Sequence, residues 1–73
     1  MKLTKHARFR KENGYILLCK VDTLQYFRID HKFLNVLEQL KMGANSISLN
    51  ELDKKEFDLF IEDLKEMDVL ENE

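Results

Sequence analysis

The sequence has no proline and only two glycines, Gly14 and Gly43. Because proline and glycine are the strongest markers of turns and loops, their scarcity predicts few irregular connections. Cys19 is the only cysteine, so no disulfide can form within the chain, as is typical of a protein in the reducing cytoplasm. No apolar run approaches the ~20 residues that cross a bilayer, and the basic start lacks the apolar segment of a signal peptide. These absences predict a cytoplasmic protein without a membrane partner.

Charge, by contrast, is abundant and unevenly distributed. Charged residues make up 36% of the chain and hydrophobic residues 44%, which is too apolar for a disordered chain and too charged for a membrane protein. Residues 1–32 contain eight Lys or Arg against three acids, a net of +5, whereas residues 50–73 contain three against ten, a net of −7. These two segments are expected to form solvated surfaces of opposite charge, and this difference in charge bears on the choice of partner.

The N-terminal half predicts three antiparallel strands, over residues 7–12, 15–21 and 24–29. Asn13 and Gly14 tolerate the positive φ of a type I′ turn and therefore predict a tight hairpin between the first two strands. The second strand is apolar at nearly every position, which predicts that it is the central one. Residues 1–6 show no periodicity, so they are expected to fray, as are residues 71–73.

The third predicted strand leads directly into a helix. Phe27 and Ile29 alternate with Tyr26 and Arg28, which is the pattern of a half-buried strand with one face toward a core. Asp30 follows, and its carboxylate can accept hydrogen bonds from the free amides of a first helical turn. Tyr26 and Arg28 are therefore expected to face away from the core.

Three helices are predicted after this strand. The first covers residues 30–42 and ends at Gly43, which suits a left-handed C-terminal cap. Ser48 and Glu51 have the spacing of a capping box, which predicts that a short second helix begins there. The apolar stripe of the first helix consists of Phe33, Leu34, Val36, Leu37 and Leu40.

Asp53 and Glu56 repeat the capping pattern and predict a third helix that runs to about Met67. After it, Val69 and Leu70 are expected to return to the core. Its apolar stripe consists of Phe57, Phe60, Ile61 and Leu64, with Leu59 off the stripe and exposed. The predicted fold is therefore a single α+β domain over residues 1–73, a three-stranded antiparallel meander followed by three helices in a winged helix-turn-helix-like arrangement.

No set of residues predicts catalysis, and no cofactor or metal is expected. Cys19 lies within an apolar strand, where a buried cysteine acts as a small hydrophobic residue. His6 and His31 lack the spacing of metal ligands, and no glycine-rich phosphate loop is present. The carboxylates of the third helix lie around its polar face, where a solvated surface is the ordinary explanation; they are Asp58, Glu62, Asp63 and Glu66. The sequence thus favours a binding protein over an enzyme.

Nucleic acid is the first partner to consider, because the helical half resembles a helix-turn-helix. In that interpretation the third helix would enter the major groove and should carry basic or amide side chains. Its outer face is acidic instead, with Lys65 the only base beyond the first turn. Because phosphate repels such a face, the sequence disfavours nucleic acid.

Peptide binding remains open because a three-stranded meander has two edges. The unpaired amides and carbonyls of an edge strand can accept a peptide as a further strand. If residues 15–21 are central, residues 24–29 form an edge, and the third helix must pack near it. A groove between them is then expected.

Three segments of the sequence form a pattern: Ile16-Leu17-Leu18, the run Tyr-Phe-Arg-Ile-Asp from Tyr26 to Asp30, and a following helix that ends Leu-Glu-Gln-Leu-Lys-Met-Gly at Gly43. Together they resemble the PqqD-like family. In that family a strand ending in two aromatic residues, Arg, Leu and Asn or Asp leads into a helix ending near Leu-x-Gly. The closing segment, residues 60–70, is similar to the family's last helix, with Asp68 where Gly is common.

The resemblance implies a recognition element for ribosomally made, post-translationally modified peptides. Such domains bind the leader of a precursor peptide as an added strand between the third strand and third helix, and present it to a modifying enzyme, for example a radical SAM enzyme, a leader peptidase or a cyclase. A chain this short that begins with Met is expected to be a free-standing version. The expected peptide-binding residues are Leu24, Gln25, Tyr26, Phe27, Arg28, Ile29, Phe60, Ile61, Asp63, Leu64 and Lys65.

Two alternatives stay open. One is a winged-helix domain that binds nucleic acid or regulates another protein. The other is a structural or oligomerising domain, because an exposed edge strand can also pair with a copy of itself.

Overall fold

A computed structural model of the chain describes residues 1–44, 46–49 and 52–71. The elements are, in order, β1 (Lys2–Leu3), β2 (Ala7–Lys11), β3 (Tyr15–Lys20), β4 (Gln25–Asp30), a 3₁₀ turn (His31–Phe33), α1 (Leu34–Met42), α2 (Lys54–Glu66) and β5 (Leu70–Glu71). Strands β2, β3 and β4 form one antiparallel sheet, and β1 and β5 form a second. Neither of these helices is long and apolar enough to cross a membrane.

The three-stranded meander and the central place of β3 are confirmed. Ile16 and Leu18 of β3 face the helices and are fully buried, and Ile29 lies opposite Ile16 on the same face. The intervening residues of β4, Tyr26 and Arg28, are exposed on the outer face of the sheet, as predicted. The period-2 alternation in the sequence therefore gives the correct orientation of the strand that leads into the helices.

Both hairpin connections differ in detail from the prediction. Gly14 has a φ of 89°, but Asn13 keeps a negative φ, so the first turn is not of type I′, which needs positive φ at both residues. The second connection spans residues 21–24, because Lys20 pairs with Gln25. Leu24 takes a left-handed φ of 56°, so β4 begins at Gln25, one residue later than the sequence predicted.

The predicted caps at Gly43 and Asp53 are confirmed, but α1 begins at Leu34 rather than at residue 30, and its N-cap, Phe33, makes no side-chain hydrogen bond there. The Asp30 carboxylate accepts a hydrogen bond from the Lys32 amide at 3.0 Å, although the turn it caps is 3₁₀ rather than α-helical. Gly43 ends α1 with a left-handed φ of 72°. The Asp53 carboxylate accepts from the Glu56 amide at 2.7 Å and so begins α2.

The prediction of three helices is wrong, since the described residues contain two α-helices. Ser48 was expected to begin the missing helix, and residues 46–49 are not helical; Glu51, its capping partner, lies outside the described residues. The Gln39 side chain explains the difference, because its Oε1 accepts from the Ser48 amide at 2.8 Å and its Nε2 donates to the Ser48 carbonyl at 3.1 Å. The Gln39 side chain of α1 therefore occupies both backbone groups of Ser48 that the start of a helix would use. The winged helix-turn-helix-like arrangement of three helices is not found among the described residues.

The N-terminus also differs from the expectation that residues 1–6 fray. Lys2 pairs with Glu71 and Leu3 with Leu70 to form the second sheet, and the Thr4 amide donates to the Val69 carbonyl at 2.9 Å. Leu3 is buried as a result. A strand of two residues has no periodicity to detect, which is why the sequence did not predict it. Residues 72 and 73, the rest of the C-terminal end that was expected to fray, lie outside the described residues.

One core fills the space between the inner face of the meander and the helices. The rings of Phe33 and Phe60 stack within it, with centroids 4.0 Å apart and planes 10° from parallel. The predicted burial of Ile29, Leu37, Phe60 and Leu64 is confirmed, with Phe27 partly buried beside them. The buried set is Leu3, Ala7, Ile16, Leu18, Ile29, Val36, Leu37, Leu40, Leu52, Phe60, Ile61, Leu64 and Val69.

Candidate peptide-binding groove

Strand β4 is an edge of the meander. In the described parts of the chain it pairs with β3 alone. In an antiparallel strand the backbone amides and carbonyls of alternate residues point away from the paired neighbour. The outer side of β4 therefore offers a row of donors and acceptors that another extended segment could use.

A groove of about 310 Å³ lies beside this edge, between β4 and the C-terminal part of α2. Gln25 and Phe27 line it from the strand, and Asp63, Glu66 and Met67 line it from the helix and its last turn. Gln25 and Phe27 share the inner face of β4 because they are two residues apart. Of the described strands of the sheet, only β4, the edge strand, lines the groove.

The groove combines an apolar floor with an acidic rim. Phe27 and Met67 are both half-buried, and a methionine thioether adapts its shape to different apolar side chains. Asp63 and Glu66 are exposed at the rim, one helical turn apart. This arrangement suits an extended segment that places an apolar side chain in the groove and a basic side chain against the rim.

Contacts at both ends of α2 hold it beside the sheet. At the start of the helix, Lys32 forms an ion pair and hydrogen bond with Glu56. That hydrogen bond raises the pKa of Lys32 above its usual value, with the neighbouring carboxylates adding to the effect. At the end of the helix, Lys20 Nζ donates to Asp68 Oδ2 at 3.1 Å.

Lys20 and Asp68 form the pair closest to the groove. Lys20 lies across the ladder from Gln25, and its side chain is only 11% exposed, whereas that of Asp68 is 84% exposed. Asp68 takes a left-handed φ of 60°, which turns the chain from α2 toward β5. The pair therefore fixes the end of the groove where the helix stops.

The structure brings three of the expected binding residues together in the groove: Gln25, Phe27 and Asp63. Leu24 lies outside the ladder in the preceding connection and is 71% exposed. Tyr26 and Arg28 lie on the opposite face of the sheet, where the Arg28 guanidinium is 4.1 Å from the centre of the Tyr15 ring. These last two side chains cover the outer face rather than lining the groove.

Four of the expected residues belong to the core instead. Ile29, Phe60, Ile61 and Leu64 are buried, so they support the groove from below. Lys65 does not line the groove and lies 3.9 Å from Glu62 on the exposed side of α2. The rim is therefore acidic, without the lysine that the sequence suggested for it.

Sequence reasoning missed two groove residues, Glu66 and Met67. Met67 follows Leu64 by three residues and Glu66 follows Asp63 by three, so each continues a row already assigned to the helix. Extending the apolar stripe by one turn past Leu64 would have found the methionine. The predicted helix, which runs to about Met67, includes both residues, but its predicted apolar stripe stops at Leu64.

Clusters of metal-binding side chains are the other kind of site to consider in the part of the chain that the structure describes. Within residues 1–44, 46–49 and 52–71, no group of three or more His, Cys, Asp or Glu side chains could hold a metal ion. Cys19 is half-buried on the outer face of β3, close to Arg8 and Tyr26. The groove beside β4 is therefore the strongest candidate site for function among the described residues.

Comparisons of the chain with protein-family models, curated proteins and solved structures find no match. The interpretation of the groove accordingly depends on its geometry and on the residue patterns of the sequence.

Proposed function

We propose that the chain binds the leader segment of a ribosomally made precursor peptide and presents it to a peptide-modifying enzyme. The observation that supports this function best is the open edge of β4 directly beside a groove of mixed character. Backbone hydrogen bonds to the edge would supply affinity, and alternate side chains in the groove would supply specificity. The resemblance to the PqqD-like family, given above, supports the same role.

In this proposal the chain catalyses no step itself. The leader adds to β4 as a further strand, so that every second side chain faces α2. An apolar side chain enters between Phe27 and Met67, and a Lys or Arg of the leader approaches Asp63 and Glu66. The enzyme, for example a radical SAM enzyme, a leader peptidase or a cyclase, acts on the part of the precursor that extends beyond the groove.

A cytoplasmic location belongs to the same proposal. Ribosomal precursor peptides are made in that compartment, and an unpaired Cys19 stays reduced there. Nucleic acid is not part of the proposal, because the exposed side of α2 remains acidic with Asp58 and Glu62 on it.

Amide chemical-shift mapping tests the proposal. The ligand is the N-terminal half of a short precursor encoded beside the gene, and the control is the same peptide with its sequence scrambled. We expect shifts to concentrate on Gln25–Asp30 and on residues 63–67, and to spare Asn13 and Gly14. A map centred on β2, or on the outer face of α1, would contradict it.

A structural or oligomerising role uses the same edge and is the second candidate. Tyr26 is 62% exposed on β4, and an exposed edge with apolar neighbours can pair with a copy of itself. Sedimentation equilibrium of the free chain separates the two roles. A stable dimer whose shift map covers β4 would favour oligomerisation, whereas a monomer would leave the edge available to a leader.

A further inference from the structure

The opposite edge of the meander carries a second groove. In the described ranges β2 pairs only with β3, so its outer side is also unpaired. A groove of about 370 Å³ lies between β2 and the N-terminal segment that contains β1. Phe9 and Arg8, which point to opposite faces of the sheet, both line it, so the groove extends along the edge of the strand.

The second groove is strongly basic. Lys2, Lys5, Arg8 and Lys41 line it, against the single carboxylate of Glu71. The ion pairs found among the described residues involve none of these four cations. Because the whole chain has a net charge of −2, the positive potential is a local property of this edge.

The floor and wall of the groove add two further features. Leu3, Ala7 and Phe9 supply apolar surface, and Lys41 Nζ lies 5.8 Å from the centre of the Phe9 ring. Thr4 also lines the groove, and its buried hydroxyl has no hydrogen-bond partner among the described residues.

We propose that this edge binds an acidic, extended segment of another protein, which adds to β2 as a fourth strand. The four cations match carboxylates placed along the segment, and the backbone of β2 supplies the ladder. Phosphate groups would meet the same cations, but the carbonyl oxygens of an edge strand repel phosphate. A peptide, which offers amide donors to those carbonyls, is therefore the better match.

A second copy of the chain is a poor occupant of this groove. Two copies of β2 would bring Arg8, Arg10 and Lys11 of each into opposition, and such cations are a common device that keeps edges apart. A head-to-tail pair would place β4 against β2. Strand β4 itself brings no net negative charge, with Arg28 and Asp30 on it. Asp63 and Glu66 lie beside β4, but such a head-to-tail contact would extend into rings or filaments, which sedimentation of the free chain would reveal.

This inference does not depend on the proposed leader binding. The two grooves lie at opposite edges of one sheet, so both can be occupied at once. Where the leader occupies β4, an acidic segment on β2 would dock a second protein, such as the enzyme that receives the leader.

The test uses a fluorescein-labelled nine-residue peptide of alternating Glu and Val. We expect it to shift amides of β2 and of residues 2–5 and 41, and to leave Gln25, Asp63 and Met67 unchanged. The double variant Lys2→Glu/Lys5→Glu should weaken binding about tenfold or more. The matched control Lys54→Glu/Lys55→Glu makes the same change in net charge on the first turn of α2, and should bind as the natural chain does.

Two peptides on the natural chain keep the test decisive even where the variant does not fold. An alternating Glu and Val peptide that is N-methylated at every residue keeps its charge but loses the ladder donors of both its edges, and should not bind. Equal binding of that peptide, or of an alternating Glu and Pro peptide, would overturn strand addition. Absence of shifts on β2, or a dimer of the free chain that buries β2 in sedimentation and shift mapping, would overturn the site.

Discussion

The two edges of the meander have the same backbone chemistry and opposite surroundings. Beside β4 the groove is bounded by α2, whose Asp63 and Glu66 make it acidic. Beside β2 it is bounded by the N-terminal segment and the end of α1, where Lys2 and Lys41 make it basic. A strand edge alone selects no partner, because all backbones present the same groups. Selectivity comes from the element that packs next to the edge.

This difference also explains how a chain with a net charge of −2 can offer two distinct surfaces. Charge complementarity acts mainly on partner choice and on the rate of association. In the proposed roles, a basic leader would be attracted to the β4 edge and repelled by the β2 edge, and an acidic segment would have the reverse preference. Each groove would then exclude the partner that fits the other.

The largest effect is expected from a substitution in the core beneath the sheet. Leu64 is fully buried beneath the β4 groove, and Leu64→Ala should lower the free energy of unfolding by ~2–5 kcal/mol through lost burial and a cavity. Leu59→Ala is the matched control on the same helix, because Leu59 is 58% exposed, and it should change stability little. Urea denaturation measures both, and a loss below about 0.5 kcal/mol at Leu64 would contradict the assignment of the core.

The next prediction concerns a variant that reverses the charge of the β4 groove and leaves the β2 groove unchanged. Asp63→Lys/Glu66→Lys should weaken a leader with basic residues about tenfold, because the rim would repel it. The alternating Glu and Val peptide should still bind the β2 edge of this variant. Fluorescence anisotropy with both peptides measures the two affinities. Parallel loss of both would show that the grooves are not independent.

Much of the fold was predictable from the sequence. The alternation in residues 26–29 gave the orientation of β4, and Asp30, Gly43 and Asp53 marked the helix ends through local capping chemistry. These features depend on residues within one turn of each other. The pairing of Lys2 and Leu3 with Leu70 and Glu71 depends instead on contacts across the whole chain, for which a two-residue strand gives no signal.

The candidate site was predictable in location and less so in detail. The edge strand and the helix beside it follow from the order of the elements, but the depth of each side chain depends on how closely α2 approaches the sheet. Phe60 and Leu64 turned out to be buried, and the rim consists of Asp63 and Glu66. The missing helix has a similar cause, because the Gln39 side chain reaches Ser48 across nine residues.

A smaller effect is expected at Asp68, which ends the β4 groove. Its left-handed backbone would favour Gly, but its carboxylate is the partner of the largely buried Lys20. Asp68→Asn keeps the tolerance for positive φ and removes the charge, so it should destabilise the fold by ~1 kcal/mol. Asp68→Gly should destabilise less, because relief of the backbone offsets part of that loss. Thermal unfolding of the two variants separates the contributions, and equal stability of Asp68→Asn and the natural chain would mean that the ion pair contributes nothing.

The smallest effect concerns Leu24, at the start of the β4 edge. A leucine at a φ of 56° with 71% of its surface exposed is unfavourable for the backbone and gains little from burial. Leu24→Gly should therefore raise the free energy of unfolding by about 0.5 kcal/mol, since relief at the left-handed position slightly exceeds the added freedom of the unfolded chain. Leu24→Ala, which keeps the strain and removes the apolar side chain, is the control. If both variants also bind the leader less tightly, Leu24 contacts the peptide where it enters the groove; if both bind it unchanged, the contact surface begins at Gln25.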